Sequence, residues 1–155
     1  MLKEGDTAPA TVMFHDSEGK PASLANYRGT PLLLYFYPKA DTPGCTSEAQ
    51  GFTELAEDFA AANVPVVGVS KDKPARLKKF AEKYGLKVAL VSDEEGLLCA
   101  AFGTWVQKSL YGRDYMGIER STFLIDGEGR IVKVWPKVKV KGHAADALAA
   151  VQALG

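Results

Sequence analysis

The sequence predicts an α/β domain: a central mixed β-sheet flanked by helices, with an N-terminal β-hairpin. Three observations carry this. Near-continuous apolar runs at 31–37 and 64–70 have the length of strands buried on both faces. A stretch with helical apolar spacing lies between them, and strand, helix, strand in that order implies a right-handed parallel crossover. Turn signals bracket two further pairs of short runs, one near each end of the chain, as antiparallel hairpins do.

The elements follow in order. Residues 12–23 read as a hairpin turning at Asp16-Ser17-Glu18-Gly19. The run at 31–37 contains two tyrosines and a phenylalanine, which favours strand. A turn at 38–44 leads into one helix with apolar positions Phe52, Leu55, Phe59 and Ala62, close to the 3.6 period. The strand at 64–70 comes next. Asp72 and Pro74 then open a helix carrying Leu77, Phe80, Ala81 and Tyr84 on one face, and Gly85 stops it. A third strand occupies 89–91. Ser92 with Glu95 has the pattern of a capping box for a helix that carries Cys99 and ends before Gly103. The polar, glycine-containing stretch at 105–117 reads as a loop, packed onto the sheet by Trp105. Runs at 121–125 and 131–138 flank Asp126-Gly127-Glu128-Gly129 as a second hairpin. An Ala-rich helix at 144–154 closes the chain.

Composition narrows the function. The 155 residues suit a single domain, 1–155, with a core of its own. Nineteen basic residues balance nineteen acidic ones, so no overall field draws in nucleic acid or an anionic membrane. The longest apolar run is far short of the roughly 20 residues that span a bilayer. The N-terminus lacks the apolar stretch of a signal peptide, and a cytoplasmic location is expected. Two cysteines, Cys45 and Cys99, are too few for a disulfide scaffold or a structural zinc site. His15 and His143 are distant in sequence from any ligand cluster and read as turn or surface residues, so no metal is expected. No phosphate-binding glycine loop or dinucleotide fingerprint occurs, so no nucleotide cofactor is expected. Lys137, Lys139 and Lys141 alternate along the expected last strand, as a solvated edge or a docking patch.

Cys45 is the best candidate for chemistry. It follows a buried strand, a proline-containing turn and Gly44, and it opens a helix. A helix N-terminus supplies partial positive charge and free N–H groups beside the sulfur, both of which favour thiolate over thiol. The plainer alternative is a small buried hydrophobe at a helix start.

The segment Tyr35-Phe36-Tyr37-Pro38-Lys39-Ala40-Asp41-Thr42-Pro43-Gly44-Cys45-Thr46-Ser47-Glu48 resembles the active-site segment of the peroxiredoxins, in particular the bacterioferritin comigratory protein, or PrxQ, branch. The likeness extends through Val67-Gly68-Val69-Ser70, through 92–103, and through Gly117-Ile118-Glu119-Arg120-Ser121-Thr122-Phe123-Leu124-Ile125. Its Pro-x-x-x-Thr-x-x-Cys spacing is specific. The resemblance implies a thioredoxin-like fold and a thiol peroxidase that reduces hydrogen peroxide and organic hydroperoxides without metal, haem or flavin. It implies Cys45 as nucleophile, Thr42 and Arg120 as hydrogen-bond partners of peroxide and sulfur, Pro38 as a shield, and Glu48 as the acid that orients Arg120. Without it, Arg120 would read as a salt-bridged strand residue and Glu48 as a favourable first-turn carboxylate.

A sulfenic acid at Cys45 needs a second thiol to resolve it. Relatives place one five residues after the nucleophile or in the next helix; this chain has Gln50 and Ala81 there. Cys99 is left, either an inert core cysteine or the resolver. The expectation is resolution by an external thiol: thioredoxin, glutaredoxin or a small thiol. The branch implies a monomer, with a dimer as the alternative. Two rivals stand beside this. One is a thiol–disulfide oxidoreductase, weakened because Glu48 and not a second cysteine follows three residues after Cys45. The other is a redox sensor or chaperone-like binding protein switched by oxidation of Cys45.

Overall fold

The computed structural model describes residues 1–154. A hairpin opens the chain, with β1 at Met13–Asp16 and β2 at Pro21–Ser23. Then come β3 (Leu32–Phe36), α1 (Pro43–Glu54), α2 (Ala56–Ala61), β4 (Val66–Ser70), α3 (Pro74–Tyr84), β5 (Ala89–Ser92) and α4 (Leu97–Phe102). The second half holds β6 (Trp105–Leu110), β7 (Arg113–Ile118), β8 (Ser121–Ile125), β9 (Ile131–Trp135) and α5 (His143–Ala153).

Seven strands form one sheet in the order β2-β1-β5-β4-β3-β8-β9. Strands β3, β4 and β5 run parallel, while β1, β8 and β9 join antiparallel. The mixed α/β sheet with its N-terminal hairpin is the expected architecture. Every residue of β3 is buried because helices cover both faces. Leu33, Tyr35 and Tyr37 point to a core shared with Phe52, Phe59, Leu77, Phe80 and Leu148. Leu32, Leu34 and Phe36 point the other way, to Leu98, Phe102 and Phe123. Full burial of each such side chain contributes about 1.5–3 kcal/mol.

Five local expectations are corrected. The single helix after Cys45 breaks at Leu55 into α1 and α2. Just before the break, the Thr53 hydroxyl donates to the Ala49 carbonyl at 2.8 Å, a back-bond that bends helices. The stretch at 105–117 is not a loop but a separate two-stranded hairpin, β6 with β7. Its two-residue turn puts Tyr111 and Gly112 at φ 51° and 76°, the geometry that suits strand twist. Ser92 does not box the next helix: its hydroxyl goes to the Asp72 carbonyl, and the buried Asp93 carboxylate accepts the Leu98 and Cys99 N–H groups instead. Strand β9 ends at Trp135, so Lys137, with φ 47°, and Lys139 and Lys141 lie beyond it and do not alternate along a strand. His143 is buried and shares a 2.8 Å hydrogen bond with Thr122 Oγ1; burial pushes its imidazole pKa down.

Candidate active site

The site forms beyond the carboxyl ends of the parallel strands, where open α/β sheets present their crevices. The chain leaves β3, turns through Pro38 to Thr42, and re-enters as α1. Thr42 is extended at φ −100° and ψ 156°, and Pro43 occupies the first helical position, where a missing N–H costs nothing. Cys45 is the third residue of α1, so its N–H is among those a helix leaves without an intrahelical acceptor. The Thr42 carbonyl accepts the Thr46 N–H at 2.8 Å, while its hydroxyl donates to the Lys39 carbonyl at 2.8 Å. Pro38 is exposed at the rim.

Arg120 arrives from the neighbouring strand. Because β8 runs antiparallel to β3, with Phe36 opposite Ser121, the residue before Ser121 falls at the same sheet end as Tyr37. The guanidinium donates from Nη2 to Cys45 Sγ at 3.3 Å and from Nη1 to Glu48 Oε1 at 2.8 Å. Its approach depends on Gly44, where a Cβ would meet Nη2 at 3.2 Å. Cys45 and Glu48 are both 2% exposed. Burial pushes the Glu48 carboxyl up to about 7, against the pull of Arg120. The hydroxyls of Tyr35 and Tyr37 and the second Glu48 oxygen are buried with no hydrogen-bond partner among the described residues. Three side chains singled out in the sequence therefore meet here, Cys45, Glu48 and Arg120, while Pro38 and Thr42 lie on the turn that leads into α1.

Cys99 does not join them. It lies on α4 in the core against the opposite face of the sheet, fully buried. Burial, then the Asp93 carboxylate, pushes its thiol pKa well up.

The sequence reading missed a second ring of residues. Asp72 was expected to open α3, but Lys73 holds the cap position. The Asp72 carboxylate instead accepts the Ala40 N–H at 2.8 Å, and Arg76 Nη2 donates to the Ala40 carbonyl at 2.9 Å. Lys83 and Tyr84 reach Asp41 from the other end of α3. These side chains grip backbone or exposed loop, which leaves no motif to read. The one available signal was the polar cluster Ser70, Asp72 and Arg76 directly after a buried strand. Among the described residues no cluster of three or more His, Cys, Asp or Glu side chains is arranged to hold a metal. No helix among them is long and apolar enough to cross a membrane.

The AhpC/TSA family profile matches residues 5–134. Peroxiredoxin Bcp of Bacillus subtilis (strain 168) is 47% identical over 147 residues, covering 95% of this chain and 93% of that protein. Peroxiredoxin Bcp of Escherichia coli (strain K12) is 44% identical over 142 residues, covering 92% and 90%. Among solved structures, the Xanthomonas campestris bacterioferritin comigratory protein, described for its alkyl peroxide reduction activity, superposes with a TM-score of 0.90. It is 41% identical and covers 98% of this chain and 97% of that one. Peroxidoxin BcpB from Mycobacterium tuberculosis superposes at 0.87 with 36% identity, covering 100% and 99%. With this similarity running almost end to end on a thioredoxin-like fold, the chain belongs to the AhpC/TSA family as a thiol-dependent peroxidase, a peroxiredoxin of the Bcp/PrxQ branch.

Proposed function

We propose that Cys45 is the peroxidatic nucleophile and that an external thiol resolves it. The observation that carries this is the chain of contacts Glu48–Arg120–Cys45, in which a buried carboxylate braces a guanidinium against the sulfur at 3.3 Å. Arginine stays charged at any working pH and offers several donors in a fixed fork.

On this reading the Cys45 thiolate attacks one peroxide oxygen, the O–O bond breaks, and the sulfur is left as a sulfenic acid. The electron pair departs on the other oxygen as hydroxide or alkoxide, which takes up a proton. Negative charge moves from sulfur to the leaving oxygen during the step. Donors already in place for that charge, Arg120 and the Cys45 N–H, lower the barrier without reorganising. The Thr42 hydroxyl oxygen, whose proton goes to the Lys39 carbonyl, is left to accept the hydrogen of the incoming peroxide. Pro38 limits water at the rim. One external thiol then displaces water from the sulfenic acid to give a mixed disulfide, and a second releases Cys45. Hydrogen peroxide and organic hydroperoxides are the substrates, with thioredoxin, glutaredoxin or a small thiol as donor. The external-thiol reading is supported by Gln50 and Ala81 and by the seat of Cys99 across the sheet. A reducing supply of thiols suits the cytoplasm, and we take the chain as one domain acting as a monomer.

Cys45→Ser tests the nucleophile. It is nearly isosteric, yet its hydroxyl is not ionised near neutral pH. Peroxidase turnover with dithiothreitol should fall to background while thermal unfolding stays close to the parent's. Substantial turnover by a folded variant overturns the assignment.

A further inference from the structure

We propose that Asp72 and Arg76 are positioning residues for peroxide attack: they hold both backbone groups of Ala40 and thereby set the loop that presents Thr42 and Cys45. This deepens the reading above and rests on it.

Asp72 sits where a helix-capping carboxylate would be expected, yet it caps nothing on α3. Its Oδ2 accepts the Ala40 N–H at 2.8 Å and the Ser70 hydroxyl at 2.7 Å. Its Oδ1 lies 3.2 Å from Arg76 Nε. The same guanidinium donates through Nη2 to the Ala40 carbonyl at 2.9 Å. One ion pair thus takes the donor and the acceptor of a single, fully buried loop residue. The base of the grip is rigid. Ser70 ends β4, and Ser92, which ends β5, donates to the Asp72 carbonyl at 2.6 Å.

The next residue is held as well. Asp41 lies in the left-handed region at φ 60°, which a short polar side chain able to hydrogen-bond nearby can enter. Tyr84 donates to its Oδ1 at 2.6 Å and Lys83 to its Oδ2 at 2.9 Å. Thr42 follows directly, and α1 starts at Pro43. The orientation of the first turn of α1, with Cys45 in it, therefore follows from where α3 holds Ala40 and Asp41.

The Arg76 side chain is 48% exposed, so as a stability element the ion pair is worth little. Its effect falls on geometry. Loosening it removes neither Arg120 nor Glu48, so the sulfur keeps a charged neighbour while the peroxide cradle shifts.

The experiment compares two rates on one protein. Peroxide oxidation of Cys45 needs the cradle; alkylation of Cys45 by iodoacetamide needs only an accessible thiolate. Arg76→Ala should slow single-turnover oxidation by hydrogen peroxide about 10-fold, inside the ~100-fold that a misplacement of about 1 Å can cost, with alkylation within about threefold of the parent. Arg76→Lys, which keeps the positive charge and a donor but not the fork, should regain part of the rate. If Arg76→Ala does not fold, Asp72→Asn is read by the same ratio, since it keeps an acceptor for Ala40 while releasing Arg76. Oxidation within threefold of the parent, or oxidation and alkylation changing in parallel, overturns the positioning role. Failure of the parent itself to oxidise at Cys45 strikes at the nucleophile assignment instead, and the two failures are told apart by that control.

Discussion

Arg120 touches sulfur with one nitrogen and a buried carboxylate with another, and that double contact decides what its loss would do. On the proposed mechanism, Arg120→Ala removes a charge-assisted donor from the place where the leaving oxygen becomes negative. Such a loss costs about 2.7–4 kcal/mol, so single-turnover oxidation of Cys45 should slow roughly 100- to 1000-fold. Arg120→Lys keeps the charge but not the fork and should fall between. A rate for Arg120→Ala within threefold of the parent would make the residue structural. Glu48 carries a pH signature. Burial raises its folded carboxyl from 4.5 to about 7, so between those values the native state holds more proton than the unfolded chain. The stabilisation from this proton is complete below about pH 4.5 and is lost as pH rises through about 7. Unfolding titrations across that window should therefore show stability falling with pH in the parent, and a flatter course in Glu48→Gln. Equal slopes would show that Glu48 does not titrate there. Cys45 was singled out by its place at a helix start, whereas Thr42, Glu48 and Arg120 were singled out only through the family resemblance, without which Glu48 reads as a first-turn carboxylate and Arg120 as a salt-bridged strand residue. Asp72 and Arg76 were not, because they bind the backbone of Ala40, which any residue type could supply.

Elements meet tightly where β3 pairs with β4. Tyr35 lies opposite Gly68 in the parallel register, and a Cβ on Gly68 would come 2.6 Å from the Tyr35 ring carbon Cζ. Glycine is needed there for space, with the tyrosine ring folded over the bare backbone and stacked 4.8 Å from Phe52. Gly68→Ala should destabilise by about 1–3 kcal/mol through overpacking. The Tyr35 hydroxyl is buried with no partner among the described residues, so Tyr35→Phe surrenders no hydrogen bond and should be neutral or stabilising. Because the two sites touch, their effects should not add. Chemical denaturation of the two single variants and the double variant measures all three. A Gly68→Ala protein as stable as the parent would show that the ring yields without cost. At this scale the buried strands were legible from their apolar runs, and α3 from its period and its glycine stop. The β6–β7 hairpin was not, because its turn is Tyr111-Gly112, without the Asn or Asp that announces such a turn. The break at Leu55 was hidden because Phe52, Leu55, Phe59 and Ala62 keep one period straight across it.

Across the whole molecule, the sheet stands between the two thiols. Cys45 packs with Tyr35, Tyr37 and Phe52 on one face; Cys99 packs with Leu98, Phe102 and Phe123 on the other. Both faces of β3 are filled, so neither side chain reaches the other through the sheet. A disulfide needs Cα atoms within about 7 Å, and joining these two would require α1 or α4 to leave its seat. Several contacts resist release of α1. Thr53 Oγ1 donates to Ala49 and accepts the Lys87 N–H at 3.1 Å, and a Cβ at Gly51 would touch Ala144 on α5. On α4, Leu98 and Phe102 are fully buried on either side of Cys99. Burial and Asp93 also push the Cys99 thiol pKa up, away from the thiolate that resolution requires. One equivalent of peroxide should therefore add a single oxygen to the intact chain, or leave an adduct when a small thiol is present. Excess peroxide should carry Cys45 on to the sulfinic acid if, as proposed, no internal thiol competes. Cys99→Ser should keep turnover with dithiothreitol within about twofold of the parent, because on the proposed mechanism the external thiol reduces the Cys45 sulfenic acid without help from Cys99. Loss of two hydrogens, mapped by peptide digestion to a Cys45–Cys99 bridge, would instead show that one of the two helices unfolds during turnover and that Cys99 is the resolver.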